Sequence, residues 1–315
     1  MTEARMTKTP TGVIVPIVTP LDEDYCIDEE ALRRLIRRCL EGGVDGIFAG
    51  GSAGVGPLLT DDQWRELMRI ARDEVGPEHL LLGGVIATST ARALRQIAIL
   101  DELGFEAMAV TPPYYVPLNT EEEFLDYFGA CREATGMQML AYNIPGFTGS
   151  NIPLPALRRM VEMGWITAIK ESSGNREYFA EAVELCRDSQ TAVMEGQEPH
   201  MAWGLTLGAV GVVPVCANYE PQTFVQIVTA AREGDTRVLE KAQARADLVR
   251  DTLSVATPAW LAGIVYAMGT LGFGTGRPIP PLGPLGAAQK LRIDRFRPLQ
   301  PSPVSVSPRV DTLKD

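Results

Sequence analysis

The sequence predicts an α/β protein, a (β/α)8 TIM barrel with a C-terminal helical extension. Three observations predict it. Short apolar runs, nearly continuous as parallel strands covered on both faces require, alternate with amphipathic helical stretches. Eight such pairs fit in about 225 residues, or roughly 25–30 residues each, the size of one βα unit. The first strand runs into Thr19-Pro20-Leu21-Asp22, with no Gly-x-Gly-x-x-Gly loop of the kind a doubly wound nucleotide-binding sheet carries.

Taken in order, the strands are Val13–Thr19, Val44–Ala49, Leu80–Ala87, Ala107–Thr111, Met137–Asn143, Ile166–Lys170, Thr191–Glu195 and Val210–Val215. The first helix, Asp28–Glu41, gathers Leu32, Leu35, Ile36 and Leu40 on one face, and Gly42-Gly43 stops it. Thr60 caps the helix to Val75, with Leu67 and Ile70 facing inward. Ser89–Leu103 ends at Gly104, and Thr120–Ala134 opens with a capping-box pattern. Pro155–Met163, Asn175–Cys186, Glu198–Leu207 and Pro221–Glu233 complete the barrel helices. After residue 235 the strand signal stops. Thr236–Thr252, Pro258–Leu271 and Leu285–Phe296 read as appended helices. The barrel is thus placed at 10–235 and the helical region at 236–296. The Pro- and Ser-rich stretch 297–315 reads as a tail without fixed structure.

Composition narrows the function. There are 29 Lys and Arg against 40 Asp and Glu, a formal charge of -11, with no long basic run, so no nucleic-acid partner is expected. The five cysteines are scattered, without a Cys-x-x-Cys pair, and read as reduced thiols of a cytoplasmic protein. The N-terminal stretch lacks the apolar core of a signal peptide. Residues 252–276 carry no charge, yet Pro258 and five glycines interrupt them, and a packed helix rather than a membrane span is expected. The two histidines, His79 and His200, have no partner at metal-ligand spacing, so neither a metal nor any other cofactor is expected.

In such a barrel the chemistry sits where strands end. Lys170 closes an apolar strand. An amine held in an apolar cavity has its charged form disfavoured and can attack a ketone to give a Schiff base. The alternative is a strand-end lysine paired with Glu171. Tyr142 closes the preceding strand, and a phenol there can carry protons. The loop Gly50-Gly51-Ser52-Ala53-Gly54 lets backbone N–H groups approach an oxyanion.

Together these segments resemble the dihydrodipicolinate synthase / N-acetylneuraminate lyase family of class I aldolases. The motifs are GGSAG at 50–54, TPPYY at 111–115, YNIPGFTG at 142–149 and IKESSGN at 169–175, with a weaker GAVGVVPV at 208–215. The resemblance spans about residues 10–296 and includes the separation of Tyr142 and Lys170. It implies a Schiff base between Lys170 and a 2-oxo acid, most often pyruvate, with Tyr142 as proton shuttle. It implies that Ser52 and the Ala53 backbone hold the substrate carboxylate, and that the Val213 carbonyl faces the pyruvate methyl. Tyr115 resembles a tyrosine that reaches a neighbouring site across a subunit interface, with Tyr114 as the alternative, in a homotetramer built as a dimer of dimers.

Departures from the family pattern bear on substrate. Ala53 replaces a second hydroxyl residue, Val55 a glutamate, and Phe147 the arginine by which the synthases receive a second carboxylate. This favours cleavage or dehydration of a 2-keto-3-deoxy sugar acid or similar 4-hydroxy-2-oxo acid, with Ser172, Gln197 and Glu198 toward its hydroxyls. The alternatives are dihydrodipicolinate synthase activity and a catalytically silent 2-oxo-acid-binding protein. A metal-dependent aldolase is poorly supported by two isolated histidines.

Overall fold

In the computed structural model, which describes residues 10–254 and 260–299, eight parallel strands close into a barrel in chain order. They are β1 (Gly12–Pro16), β2 (Gly46–Ala49), β3 (Leu80–Val85), β4 (Ala107–Val110), β5 (Gln138–Asn143), β6 (Ala168–Glu171), β7 (Ala192–Glu195) and β8 (Gly211–Val212). β8 returns to β1 through Gly12↔Gly211 and Val13↔Val212. Parallel neighbours need a crossover, and helices provide it. These are α1 (Glu29–Glu41), α2 (Asp61–Glu74), α3 (Thr90–Glu102), α4 (Glu121–Glu133), α5 (Pro145–Thr148), α6 (Leu154–Glu162), α7 (Arg176–Cys186), α8 (Met201–Leu207) and α9 (Pro221–Glu233). The extension comprises α10 (Thr236–Ser254), α11 (Trp260–Thr270) and α12 (Ala287–Asp294).

Local chemistry sets the boundaries. Thr60 and Thr120 each form a reciprocal capping box, with Gln63 and Glu123, which satisfies donors that the first helical turn leaves orphaned. β1 stops at Pro16, short of the expected Thr19, although the Ile17 N–H still donates to the Phe48 carbonyl. β8 has two residues where the apolar run suggested six, because Pro214 has no N–H for a ladder and Val215–Asn218 turns into a 3-10 helix. The run read as one helix from Glu198 begins as a 3-10 turn, Glu198–His200, before α8. α5 was not expected. It is a single turn that Pro145 starts and Gly149, at φ 73°, ends.

Two apolar layers result from the period-two alternation of the strands. Ile14, Phe48, Leu82, Ala109, Leu140, Ala168 and Met194 point into the barrel. Their sequence neighbours, among them Val13, Val15, Ile47, Met108, Met139, Ile169 and Val193, face the helices. Gly83 lets α3 approach β3, since a Cβ there would meet Leu100 at 2.4 Å.

None of the described helices is long and apolar enough to cross a membrane. Pro258 and residues 300–315 of the expected tail lie outside the described residues. Residues 297–299 are held. The Leu299 N–H donates to Glu220, and the Arg297 carbonyl accepts from Arg245. Glu220 is fully buried and organises this junction. Arg245 of α10 donates to both its carboxylate oxygens, at 2.8 and 2.6 Å, and the Thr223 hydroxyl donates at 2.5 Å. Burial pushes the Glu220 carboxyl up, but these donors outweigh it and hold the group below its usual range. Glu220→Ala should therefore cost about 2–4 kcal/mol, the range for breaking a largely buried charged pair. Urea unfolding of wild type and variant checks this, and equal midpoints would show that the junction contributes nothing.

Candidate active site

Lys170 and Tyr142 are lateral neighbours, paired across β5 and β6 in the sheet register. Both have the inward parity of Ala168 and Leu140, so both side chains enter the barrel at the C-terminal end of their strands. Lys170 is 4% exposed and Tyr142 3%. The Lys170 Nζ lies 3.9 Å from the centroid of the Tyr142 ring and 5.2 Å from that of Phe48, and the two rings meet edge to face at 5.9 Å.

Glu171, the residue that could have neutralised Lys170, has the opposite parity. Its carboxylate accepts from the Ser173 N–H at 2.6 Å, the Ser173 hydroxyl at 3.2 Å and the Asn143 amide at 3.4 Å. Asn143 is held in turn by Asn151 and by the Ile152 N–H. Among the described residues no carboxylate lies within ion-pair distance of Lys170.

The cavity above Lys170 encloses about 640 Å³. Ser52, Ala53, Tyr142, Phe147, Lys170, Ser172, Gln197 and Val213 all line it, so the structure brings these expected residues together. The loop after β2 is rigid. Gly50 opens it at φ 67°, the Gly54 carbonyl accepts from the Thr19 hydroxyl at 2.7 Å, and the Val55 N–H donates to the Ser52 carbonyl. Val55 has φ 50°, a costly conformation for a β-branched residue that the surrounding packing enforces. The N–H groups of Ser52 and Ala53 have no acceptor among the described residues. Two free donors on a fixed loop facing an amine suit a carboxylate.

Other groups crowd the amine. A Cβ on Gly196 would lie 2.0 Å from the Ser172 hydroxyl and 3.1 Å from Lys170 Cε. The Ser172 hydroxyl is buried and lacks a partner among the described residues, as does that of Thr111 at the end of β4. Gln197 donates its amide to the Ser172 carbonyl at 2.7 Å. Tyr115 does not reach this cavity. It is 88% exposed at φ 79°, and Tyr114 lines a separate groove with Trp64 and Arg92.

Two carboxylates stand behind the site, and a third, the expected Glu198, lines the cavity. Glu195, paired with Glu171 in the sheet register, accepts from the Gln197 N–H at 2.7 Å. Burial pushes it up to about 8, with the neighbouring Glu171 adding to the effect. Burial also raises Glu171 and Glu198, and the Glu198 carboxylate accepts from the Cys216 N–H at 2.7 Å. Among the described residues no group of three or more His, Cys, Asp and Glu is placed to hold a metal ion.

Sequence reasoning missed part of the wall. Arg250 of α10 and Trp260 of α11 line the cavity, the latter with its ring edge to face with Phe147 at 6.1 Å. No strand-end motif signals them, since both come from the appended helices.

A buried, acid-free amine beside a phenol at the mouth of a (β/α)8 barrel defines a barrel enzyme of the lyase class. The comparisons agree. The profile of the dihydrodipicolinate synthetase family matches residues 9–296. A 4-hydroxy-tetrahydrodipicolinate synthase of Chloroherpeton thalassium is 32% identical over 232 residues, which cover 73% of this chain and 76% of that one. An N-acetylneuraminate lyase of Escherichia coli is 28% identical over 243 residues, 77% of this chain and 81% of the other. The crystal structure of dihydrodipicolinate synthase from Aquifex aeolicus superposes with a TM-score of 0.84 at 25% identity, over 90% of this chain and 96% of that one. The chain belongs to the dihydrodipicolinate synthetase family.

Two outcomes follow from this geometry. Glu195 keeps its proton in the folded state up to about pH 8, whereas the unfolded chain releases it near 4.5. The folded state binds more protons in that window, so stability falls as pH rises through it. Thermal melts of Glu195→Gln should show a shallower decline between about pH 5 and 8 than wild type; parallel profiles would contradict the buried, protonated state. Gly196→Ala should lower kcat/KM about a hundredfold by displacing the Ser172 hydroxyl and the end of β6 that carries Lys170, while the far-ultraviolet circular dichroism is unchanged. Full activity in that variant would refute the crowding.

Proposed function

We propose that the protein is a class I, Schiff-base-forming lyase that cleaves or dehydrates a 4-hydroxy-2-oxo acid, such as a 2-keto-3-deoxy sugar acid, with pyruvate as the cleavage product. The observation that carries the reading is the Lys170 amine, buried 3.9 Å from the Tyr142 ring and without an acid partner among the described residues.

The substrate carboxylate sits on Ser52 and the Ala53 N–H, which brings C2 to Lys170. The uncharged amine attacks C2, and loss of water from the carbinolamine gives an iminium. Tyr142 carries protons to and from the departing oxygen. The iminium draws electrons from the C3–C4 bond while Tyr142 takes the proton of the 4-hydroxyl. C4 leaves as an aldehyde and an enamine remains. Protonation at C3 and hydrolysis release pyruvate and restore the lysine. The Val213 carbonyl faces the C3 carbon during these steps, and Ser172 and Gln197 meet the hydroxyls. Loss of a C3 proton followed by the 4-hydroxyl gives dehydration from the same iminium. The names of the synthase relatives favour a second reading, condensation of pyruvate with an aldehyde, which uses the same enamine in reverse.

A homotetramer, a dimer of dimers in the cytoplasm, fits this reading. Tyr115 and Val116 are 88% and 67% exposed, and Tyr115 holds a strained left-handed backbone that a partner surface would stabilise. All five cysteines are unpaired, as in a reducing compartment.

Borohydride reduction in the presence of pyruvate should add one reduced pyruvyl group to the peptide that contains Lys170, and none in Lys170→Ala. Pyruvate release from a panel of 2-keto-3-deoxy sugar acids should vanish in Lys170→Ala and fall about 10²–10⁴-fold in kcat for Tyr142→Phe. Turnover without a reducible adduct would overturn the mechanism. An adduct without turnover of any substrate would favour a silent binding protein.

A further inference from the structure

The barrel closes through two register pairs between β8 and β1, Gly12↔Gly211 and Val13↔Val212, with the Gly12 N–H on the Val210 carbonyl. In a parallel pair one residue bonds the carbonyl and the N–H that flank its partner. Carried on in register, the next two donors would be the N–H groups of residues 214 and 16, and both positions are proline. The two bonds after that would join residue 216 to the Pro16 carbonyl and to the Val18 N–H. Cys216 makes neither. Its N–H donates to Glu198 at 2.7 Å, and its carbonyl accepts from the Tyr219 and Glu220 N–H groups.

The side chain of Asn218 fills both places. Its Nδ2 donates to the Pro16 carbonyl at 3.0 Å, and its Oδ1 accepts from the Val18 N–H at 3.0 Å. Nδ2 also donates to the Val215 carbonyl, at 2.8 Å. Ile17, between the two bonded groups of β1, donates the other way, to Phe48. The amide thus stands where a β8 residue opposite Ile17 would stand. Asn218 is fully buried, where solvent does not replace a lost contact. The Arg38 guanidinium of α1 holds the following carbonyl, that of Tyr219, at 3.0 Å.

This joint carries a wall of the cavity. Pro16, Val213 and Val215 line it together with Lys170 and Tyr142. The Val213 N–H donates to the Glu195 carbonyl at 2.9 Å, while the Val213 carbonyl accepts no hydrogen bond among the described residues. Pro214 offers no bond to β1, so the direction of that carbonyl depends on where the 3-10 turn Val215–Asn218 is pinned. The contacts of Asn218 pin it to β1.

From this arrangement we infer that Asn218 is a positioning residue for the reaction: it replaces the missing end of the β8–β1 ladder and so fixes Val213 and Pro16 against C3 of a substrate bound at Lys170. The inference rests on the proposed Schiff base. The step it governs is proton exchange at C3. The iminium loses a C3 proton to solvent, the C–H pair becomes the C2–C3 double bond of the enamine, and the C=N pair returns to nitrogen. Reprotonation from solvent reverses the step. A wall fixed on one side of the planar enamine leaves one face open to that proton.

The test separates adduct formation from C3 chemistry in the full chain. Asn218→Asp keeps the shape and an acceptor but loses both donations, and Asn218→Ser removes the amide without adding an acid. Both variants should give the borohydride-reduced pyruvyl adduct at Lys170 to within about twofold of wild type. Exchange of the pyruvate methyl protons in deuterated water, followed by proton NMR, should fall about ten- to a hundredfold, the order that a small misplacement costs. Wild type should exchange one C3 hydrogen of 2-oxobutanoate well ahead of the other, and the variants should exchange both at similar rates. Adduct and exchange that fall together with the melting temperature, with the face preference intact, would mark a stabilising contact alone and overturn the assignment. Failure of both variants to fold would do the same. So would equal exchange of the two hydrogens in wild type, an outcome that needs no variant. Absence of the adduct in wild type refutes the Schiff-base reading and this inference with it, whereas an adduct with unchanged exchange in the variants refutes the role of Asn218 alone.

Discussion

The strict alternation of side chains along a closed parallel sheet governs this molecule. Each strand sends every second residue into one small interior and the rest toward the helices. At the end of β6 this rule sends Lys170 inward and Glu171 outward, although they are adjacent in sequence. A one-residue slip of β6 would exchange them. It would put a carboxylate beside the Tyr142 ring and an amine among Asn143 and Ser173.

The same rule separates charge by face. The cavity holds an amine, two backbone donors and hydroxyls, and its lining acid Glu198 comes from the 3-10 turn after β7, not from the sheet. The sheet carboxylates Glu171 and Glu195 stand on the outer face, satisfied by backbone N–H groups of the turns that follow. Those turns fix Ser172, Ser173, Gly196 and Gln197 around the amine. Carboxylates buried for structural reasons thus organise the loops without neutralising the lysine. Burial raises both, and for Glu195 the neighbouring Glu171 adds to the rise, since two anions side by side repel.

Much of this was legible in the sequence. Eight apolar runs with capped helices between them gave the barrel, and Ser52, Ala53, Tyr142, Phe147, Lys170, Ser172, Gln197 and Val213 do share one cavity. The strand limits at Pro16 and Val212 were not, because hydrophobicity marks burial whereas ladder membership depends on a donor that proline lacks. Arg250 and Trp260 were not legible either. A helix pattern shows which side of α10 is apolar, not which end of the barrel it covers, and only contacts such as Gln243 to Glu198 decide that. The paired tyrosines were visible as a motif, yet one chain leaves Tyr115 facing solvent.

The extension is fastened differently from the barrel. α10 meets the barrel through a buried apolar face and through Arg245 on Glu220 and Gln243 on Glu198, without a strand ladder between them. Reacting groups therefore belong to a cooperatively bonded ring, while part of the vestibule belongs to helices that pack on it through side chains, Leu239, Ala242, Ala246, Val249 and Leu253 of α10 among them. Sequence change in those helices can retune which molecules are admitted while the ring keeps its register. A lineage could in this way diversify its diet of metabolites without reinventing its chemistry.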